Sequence, residues 1–464
     1  MERWISRRVT DGAGALRHLR SSGAIGRLPG DRQDDDSVDS DLAFELFSDY
    51  LRGAESAHRA TKLAKMICCV RKKGPKADLL WKVARAGQSK KNACRNLHRL
   101  IDRNNVLFPV PIDCGLIRVS FRRPQYRTEQ IYWPFLRMRD WVRCLLRDTP
   151  QMLLAGHELS DFVGWQQVFT TFWDSYRMVN PNHVIFQELG DFPIACAIPY
   201  FIHGDEGRGY CRRPFMVESW QPVISYKGLD KINESGHSMT TRFLLTCISS
   251  YFFDGEHTLD DLHGFIARDA TDLYREGITV DGFNLRQNDW PTSLGSANSK
   301  AYDTALVLQW MESFLDGVDC SNDEFLQGFR FAVATSNLFF RVLRQCGVFI
   351  HEPQKSLVFN VGQQMCEAYG HMAAKCYHHG WKLFRLRPKL HMQHHLLLLM
   401  GPQSGPVAFS ALNFSCWSDE DFIGRVARLS RTCHPLRSSY RCIQKALGMY
   451  KTQFRNAINN LEED

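Results

Sequence analysis

Three acidic residues, far apart in the chain, could do chemistry together: Asp205 in "HGDEGR", Asp289 in "RQNDWP" and Glu420 in "WSDEDF". Hard divalent cations take oxygen ligands. A site that clamps both the attacking and the leaving oxygen of a phosphodiester needs carboxylates converging from separate elements. Arginines stand beside two of the three. Arg208, Arg212 and Arg213 follow Asp205, and Arg425, Arg428 and Arg431 follow Glu420, so both signs of charge are present, as a metal ion next to a polyanion requires. Each carboxylate also has a plain local reading. Asp205 among its glycines suits a turn, and Asp289 sits in an Asn-Asp pair ahead of a proline. Asp419, Glu420 and Asp421 suit the first turn of a helix capped by Ser418, where the dipole favours anions.

Other chemistries find less support. Cys376, His378, His379, His391, His394 and His395 gather late in the chain. Within "HMQHH", His391 is spaced to share one zinc with His394 or His395, but no third or fourth ligand follows at a recognised interval, so a structural zinc ion is not expected. There is no GxxxxGK[ST] loop, no GxSxG elbow and no HExxH pair. The 15 cysteines are scattered without a CxxC, which argues against zinc ribbons and secreted disulfide scaffolds and for a reducing, intracellular setting. No apolar run approaches the roughly 18–20 residues of a membrane span; a soluble protein without a membrane partner is expected.

The elements that must position these residues can be read from periodicity. Ile194, Cys196, Ile198, Tyr200 and Ile202 alternate as a half-buried strand does, "PFMVESWQPVISY" reads as a second strand, and 204–213 as the loop between them. Helical patterns follow at "MTTRFLLTCISSYFF" and from Thr258, where Thr258 and Asp261 resemble a capping box. Only a short apolar run, Phe283–Leu285, precedes Asp289. Beyond it the spacing predicts helices over 302–318, 323–346, 354–379, 419–432 and 440–461.

Charge divides the 464 residues unevenly. The net charge is +8, yet residues 56–147 hold 22 Lys+Arg against 5 Asp+Glu, and residues 381–455 hold 12 against 3. Two basic regions around an acidic middle point to a polyanionic partner, DNA above all, bound with release of counterions. Basic helices over 57–103 include Lys72 and Lys73, and "FRRPQYRTEQIYW" interleaves Arg122 and Arg123 with aromatics, as phosphate contacts and base stacking require. The reading divides the chain into a disordered leader with an acidic linker (1–55), a basic, mainly helical region (56–190), an α/β core (191–300) and a helical region (301–464). A homo-oligomer is compatible with this composition.

The blocks "HGDEGR", "PFMVESWQPVIS", "SGHSMTTRFLLTCISSYFFDG", "DLYREGI", "RPKLHMQHH" and "CWSDEDFIGRVARLSRTCHP" resemble those of a transposon-encoded, transposase-like family of protist genomes, itself similar to the Kyakuja–Dileera–Zisupton DNA transposases. The resemblance runs in block order over roughly residues 92–450. It implies a ribonuclease-H-like mixed-sheet core with helical flanks. It also implies a nuclear location and Mg²⁺ held by Asp205, Asp289 and Glu420 for cutting and joining DNA strands. In the family a full strand leads into the block that holds the second aspartate, and a long insertion follows. Here Asp289-Trp290-Pro291 is kept, the strand before it reads as truncated after Gly282, and the insertion is missing. That departure implies a degenerate cleavage site or, in the alternative, a non-catalytic DNA- or chromatin-binding remnant.

Overall fold

The protein is seen in a computed structural model, which describes all residues except 1–35, 71–78, 122–125, 189–191, 234–236, 256, 281–282, 290–300, 382, 385, 387, 435–436 and 464. It is a mixed α/β chain divided into two compact units. One comprises Met1–Phe108, Asp113–Phe135 and Tyr251–His263, and the other comprises Pro109–Ile112, Leu136–Ser250 and Gly264–Asp464. Residues 136–190, grouped with the basic region by sequence, thus belong to the second unit. Among the described residues no helix is long and apolar enough to cross a membrane.

The first unit is built on four helices, α1 (Asp36–Leu51), α2 (Ala57–Val70), α3 (Leu79–Ala86) and α4 (Ala93–Arg103). Helix α1 corrects the expectation that residues 1–55 are leader and linker. Its acidic start hides an apolar stripe, Ala43, Phe47 and Leu51, which packs with Ala60, Ala64, Leu80, Val83, Leu97 and Ile101 in one core. Within that core the Tyr50 hydroxyl meets His98 Nε2 at 2.8 Å. The same helices turn Lys62, Lys65, Lys82, Arg85, Arg95, Arg99 and Arg103 outward. Two strands follow, β1 (Ile112–Phe121) and β2 (Arg127–Leu136), paired in a two-stranded sheet. Their rings Phe121 and Trp133 each lie 5.9 Å from Phe252.

In the second unit, α5 (Met138–Asp148) and α6 (Phe162–Val179) precede the sheet strands β3 (Ala197–Arg208), β4 (Pro214–Pro222) and β5 (Phe243–Ser249). The last is a correction to the helix expected at "MTTRFLLTCISSYFF", whose unbroken apolar run fits a strand buried on both faces. Helix α7 (His257–Glu276) begins in the first unit and ends in the second. It leads to β6 (Ile278–Val280) and β7 (Phe283–Asp289). The sheet order is β5-β4-β3-β7-β6. β3, β4 and β5 are successively antiparallel, β7 is parallel to β3, and β6 closes the edge antiparallel to β7. The expected pairing of the two central runs is present, but β3 continues through Asp205 to Arg208, so only 209–213 form the turn. A buried tryptophan fixes where β3 begins: Trp173 of α6 donates its indole N–H to the Ala197 carbonyl at 2.8 Å.

The helices of the C-terminal half are α8 (Ala301–Asp316), α9 (Glu324–Arg344), α10 (Gln354–His378), α11 (Pro388–Leu399), α12 (Trp417–Ser430) and α13 (Ser438–Glu463); all but α11, which was not expected, lie close to the ranges the spacing predicts. Helix α13 closes the end of β5. Its Tyr450 hydroxyl accepts from the Leu244 N–H and donates to the Arg242 carbonyl, both at 2.8 Å. Burial pushes the Tyr450 phenol well up, so it remains a donor.

Candidate functional site

Alternation along β3 decides which way its carboxylates point. Asp205 and Gly207 face one side of the sheet, and Gly204 and Glu206 face the other. Helix α12 covers the Asp205 side. A Cβ on Gly207 would come within 2.6 Å of Ala427 Cβ and 3.0 Å of Ile423 Cγ2, so the helix rests on bare backbone there. Glu420 shares the stripe of Ile423 and Ala427, at i, i+3 and i+7. Strand and helix run the same way, since Tyr210 N–H donates to Ser430 Oγ at 3.1 Å just past Gly207. Counting back about 7 Å on each, two residues of strand and five of helix, brings Asp205 and Glu420 to one level on one side of the sheet.

The acidic triplet is held by residues that sequence reasoning did not select. The helix begins at Trp417 with Cys416 as its cap and no side-chain capping bond, so Ser418 is not the cap. Asp419 is buried and takes a two-pronged pair from the buried Arg242, Nε to Oδ1 at 3.2 Å and Nη2 to Oδ2 at 3.1 Å. Arg242 also donates to the Asn233 carbonyl and to Thr241 Oγ1. Asp421 accepts from Ser238 Oγ and from Arg425 Nε, each at 2.6 Å. Burial pushes the Asp421 carboxyl up, but the bonds from Arg425 and Ser238 outweigh it and hold it below the usual carboxylate range. Beside them, His237 is pushed down by burial and by Arg425, against a smaller upward pull from Asp421. The two flanking acids therefore serve as anchors. The only signal for this in the sequence is a lone arginine in the apolar run "MTTRFLL".

Asp289 takes a different place. Strand β7 is seven residues long, so the strand before this aspartate is not truncated, contrary to expectation. It was hidden because Arg286, Gln287 and Asn288 give it no apolar alternation. Among the described residues the two strands pair over Ala197–Tyr200, with Asp289 beside Tyr200. Asp205 lies five residues further on, about 17 Å at the rise of a strand. The Asp289 side chain is outside the described residues. Among the described residues there is no group of three or more His, Cys, Asp or Glu that could hold a metal ion. Asp205 and Glu420 thus come to one level, while the backbone of Asp289 pairs with an earlier part of β3. On the strand itself, Asp205 accepts the Glu206 N–H at 2.7 Å, and burial, then the Asp205 charge, push the Glu206 carboxyl up.

The arginines do come together. The turn 209–213 is closed by Gly209 N–H on the Arg213 carbonyl at 2.8 Å, with Cys211 and Arg212 at φ 53° and 58°, a left-handed backbone uncommon outside glycine. The end of α12 seals against it. The Arg431 guanidinium donates twice to the Arg208 carbonyl, at 3.1 and 2.7 Å. Arg208, Arg212, Arg213, Arg428 and Arg431 are exposed at this one end of the sheet, while Arg425 is engaged by Asp421. Lys72, Lys73, Arg122 and Arg123 lie outside the described residues. In the first unit, Arg118 is taken up by Asp261 through two side-chain bonds at 2.8 and 2.7 Å, and Thr258 Oγ donates to the Arg118 carbonyl. These bonds replace the expected capping box. Comparison with protein-family models, with curated proteins and with solved structures finds no match to this chain.

Proposed function

We propose that this is a transposase-type protein that binds DNA without cutting it, its cleavage centre left unassembled. The observation that carries the binding is that Arg208, Arg212 and Arg213 of one sequence cluster and Arg428 and Arg431 of another, 220 residues away, are all exposed where the end of α12 meets the turn after β3. Five guanidiniums so placed can neutralise several phosphates at once, each releasing counterions. The exposed Lys and Arg of α2, α3 and α4 supply a second phosphate-binding surface. The strand order supports the ribonuclease-H-type reading. Three antiparallel strands, a helix and a strand parallel to the first make the order such a core requires, although the antiparallel β6 departs from it. The register of β7 argues against cleavage, because a two-metal centre needs its carboxylates near enough to share ions. The resemblance of its sequence blocks supports a nucleus as the place where that DNA is met.

Anisotropy of labelled duplex DNA between about 50 and 200 mM salt tests this reading, with an expected log–log slope near −0.9 per phosphate neutralised. Arg212→Ala with Arg213→Ala should flatten the slope, and an unchanged slope would put the DNA surface elsewhere. Plasmid nicking with Mg²⁺ or Mn²⁺, with and without chelator, should be absent. Chelator-sensitive nicking abolished by Asp205→Asn and by Glu420→Gln would overturn the non-cutting assignment and restore an active centre.

A further inference from the structure

Helix α11 carries a pair of imidazoles outside the arginine clusters and the basic helices invoked for DNA. His391 and His395 stand at i and i+4, so one helical face presents both. Their Nε2 atoms lie 2.9 Å apart, the ring centroids are 4.4 Å apart and the planes are at 83°. Both residues are exposed. A nitrogen–nitrogen approach of this length accommodates one shared proton or, in its place, one metal ion. The separation is also compatible with chelation. Two nitrogens each about 2.0–2.1 Å from a metal lie about 2.9 Å apart in cis positions at a right angle, and about 3.3–3.4 Å apart at the tetrahedral angle.

We infer that His391 and His395 form a surface site for a borderline divalent ion of tetragonal geometry, Cu(II) first and Ni(II) after it, with water completing the coordination. The affinity order for divalent ions at nitrogen ligands agrees, rising through Ni(II) to Cu(II) and falling at Zn(II). Binding requires both Nε2 lone pairs, so the ring that donates in the free pair moves its proton to Nδ1 and the ion replaces the hydrogen bond. Among the described residues no third His, Cys, Asp or Glu completes a metal-binding group here, which makes this an open two-ligand site and not a structural zinc centre. His394 is not part of the bonded pair. With His391, Cys366, Leu386 and Leu390 it lines a neighbouring cavity of about 280 Å³, and it serves as the internal control.

The test is calorimetric titration of the full chain with NiCl₂, CuCl₂ and ZnCl₂, beside His391→Ala, His395→Ala and His394→Ala. All three positions are on the surface or near it, so the variants should fold, and circular dichroism checks that they do. The tightest Ni(II) site should weaken at least tenfold in His391→Ala and in His395→Ala and persist in His394→Ala. Electron paramagnetic resonance at one equivalent of Cu(II) should report two coupled imidazole nitrogens in the parent and fewer in the two variants. Equal Ni(II) affinity in the parent and all three variants would overturn the assignment. So would tighter binding of Zn(II) than of Ni(II).

Discussion

The two ends of β3 have different neighbours. Over Ala197–Tyr200 the strand pairs in parallel with β7, and its start is tied to α6 by Trp173. From Asp205 onward the described pairing with β7 is behind it, and α12 lies directly on Gly207. The first end is held by backbone pairing, which fixes register but brings no functional side chain to Asp205. The second end is held by side-chain anchors, and it gathers Asp205, Glu420 and five exposed arginines. A sheet can thus have the right strand order and still leave its acidic residues apart, because order and register are separate properties of a strand pair.

The largest effect should come from breaking the anchor at the α12 end. Arg242→Met leaves Asp419 buried without its charge partner and should cost about 3–5 kcal/mol in urea unfolding. Arg242→Met with Asp419→Leu should recover most of that loss. A single substitution that costs under about 1 kcal/mol would mean that the pair does not hold the helix in place. Next comes the close approach itself. Gly207→Val should push α12 off the strand at about 1–3 kcal/mol and weaken DNA binding, while the Asp289 end is left alone. Gly207→Ala should be milder and partly relieved by Ala427→Gly, although glycine in a helix itself costs about 1 kcal/mol. Failure of that rescue would show that the contact at Gly207 is not what limits the helix.

A smaller effect concerns pH. His237 has its folded pKa lowered by burial and by Arg425, so its contribution is complete above about pH 6.5 and fades as pH falls below that value. Asp421 is also lowered, held by Arg425 and Ser238 against burial, so its contribution is complete above about pH 4 and is lost below it. The denaturation midpoint should therefore decline in two stages on acidification. His237→Gln should shrink the upper stage and leave the lower one, the rest of the upper stage coming from His183, which burial also lowers. The smallest effect is expected from Arg425→Gln. That pair with Asp421 is partly exposed and of the i, i+4 type, worth about 0.3–0.5 kcal/mol. A cost several times larger would mean that Arg425 and not Arg242 fixes the end of the helix.

The same contrast explains what the sequence made legible. The strand pair β3–β4 and the late helices could be read because apolar periodicity marks them directly. Helix α1 was obscured by the acids at its start, and β7 by the polar run Arg286–Asn288. No local pattern records register, so Asp289 could be assigned a role but not a position. The anchor on Asp419 was unreadable because its partner is 177 residues away, and nothing in either segment names the other. The two arginine clusters were legible singly. Their meeting depends on Gly207 and Gly209, whose lack of side chains lets α12 close on the strand.

Arg242 has a consequence for how the chain is made. The residue leaves the ribosome 177 positions ahead of Asp419, an interval of roughly 9–35 s at ordinary rates of synthesis. Tyr450, which also closes on the Arg242 carbonyl, emerges later still. Until then a guanidinium destined for the interior has no carboxylate to enter with, and the sheet cannot seal around it. The second unit should therefore stay open to chaperones until Asp419 and Tyr450 have been made. A ribosome stalled before residue 419 should carry a protease-sensitive chain, and one stalled well past residue 454 a resistant core.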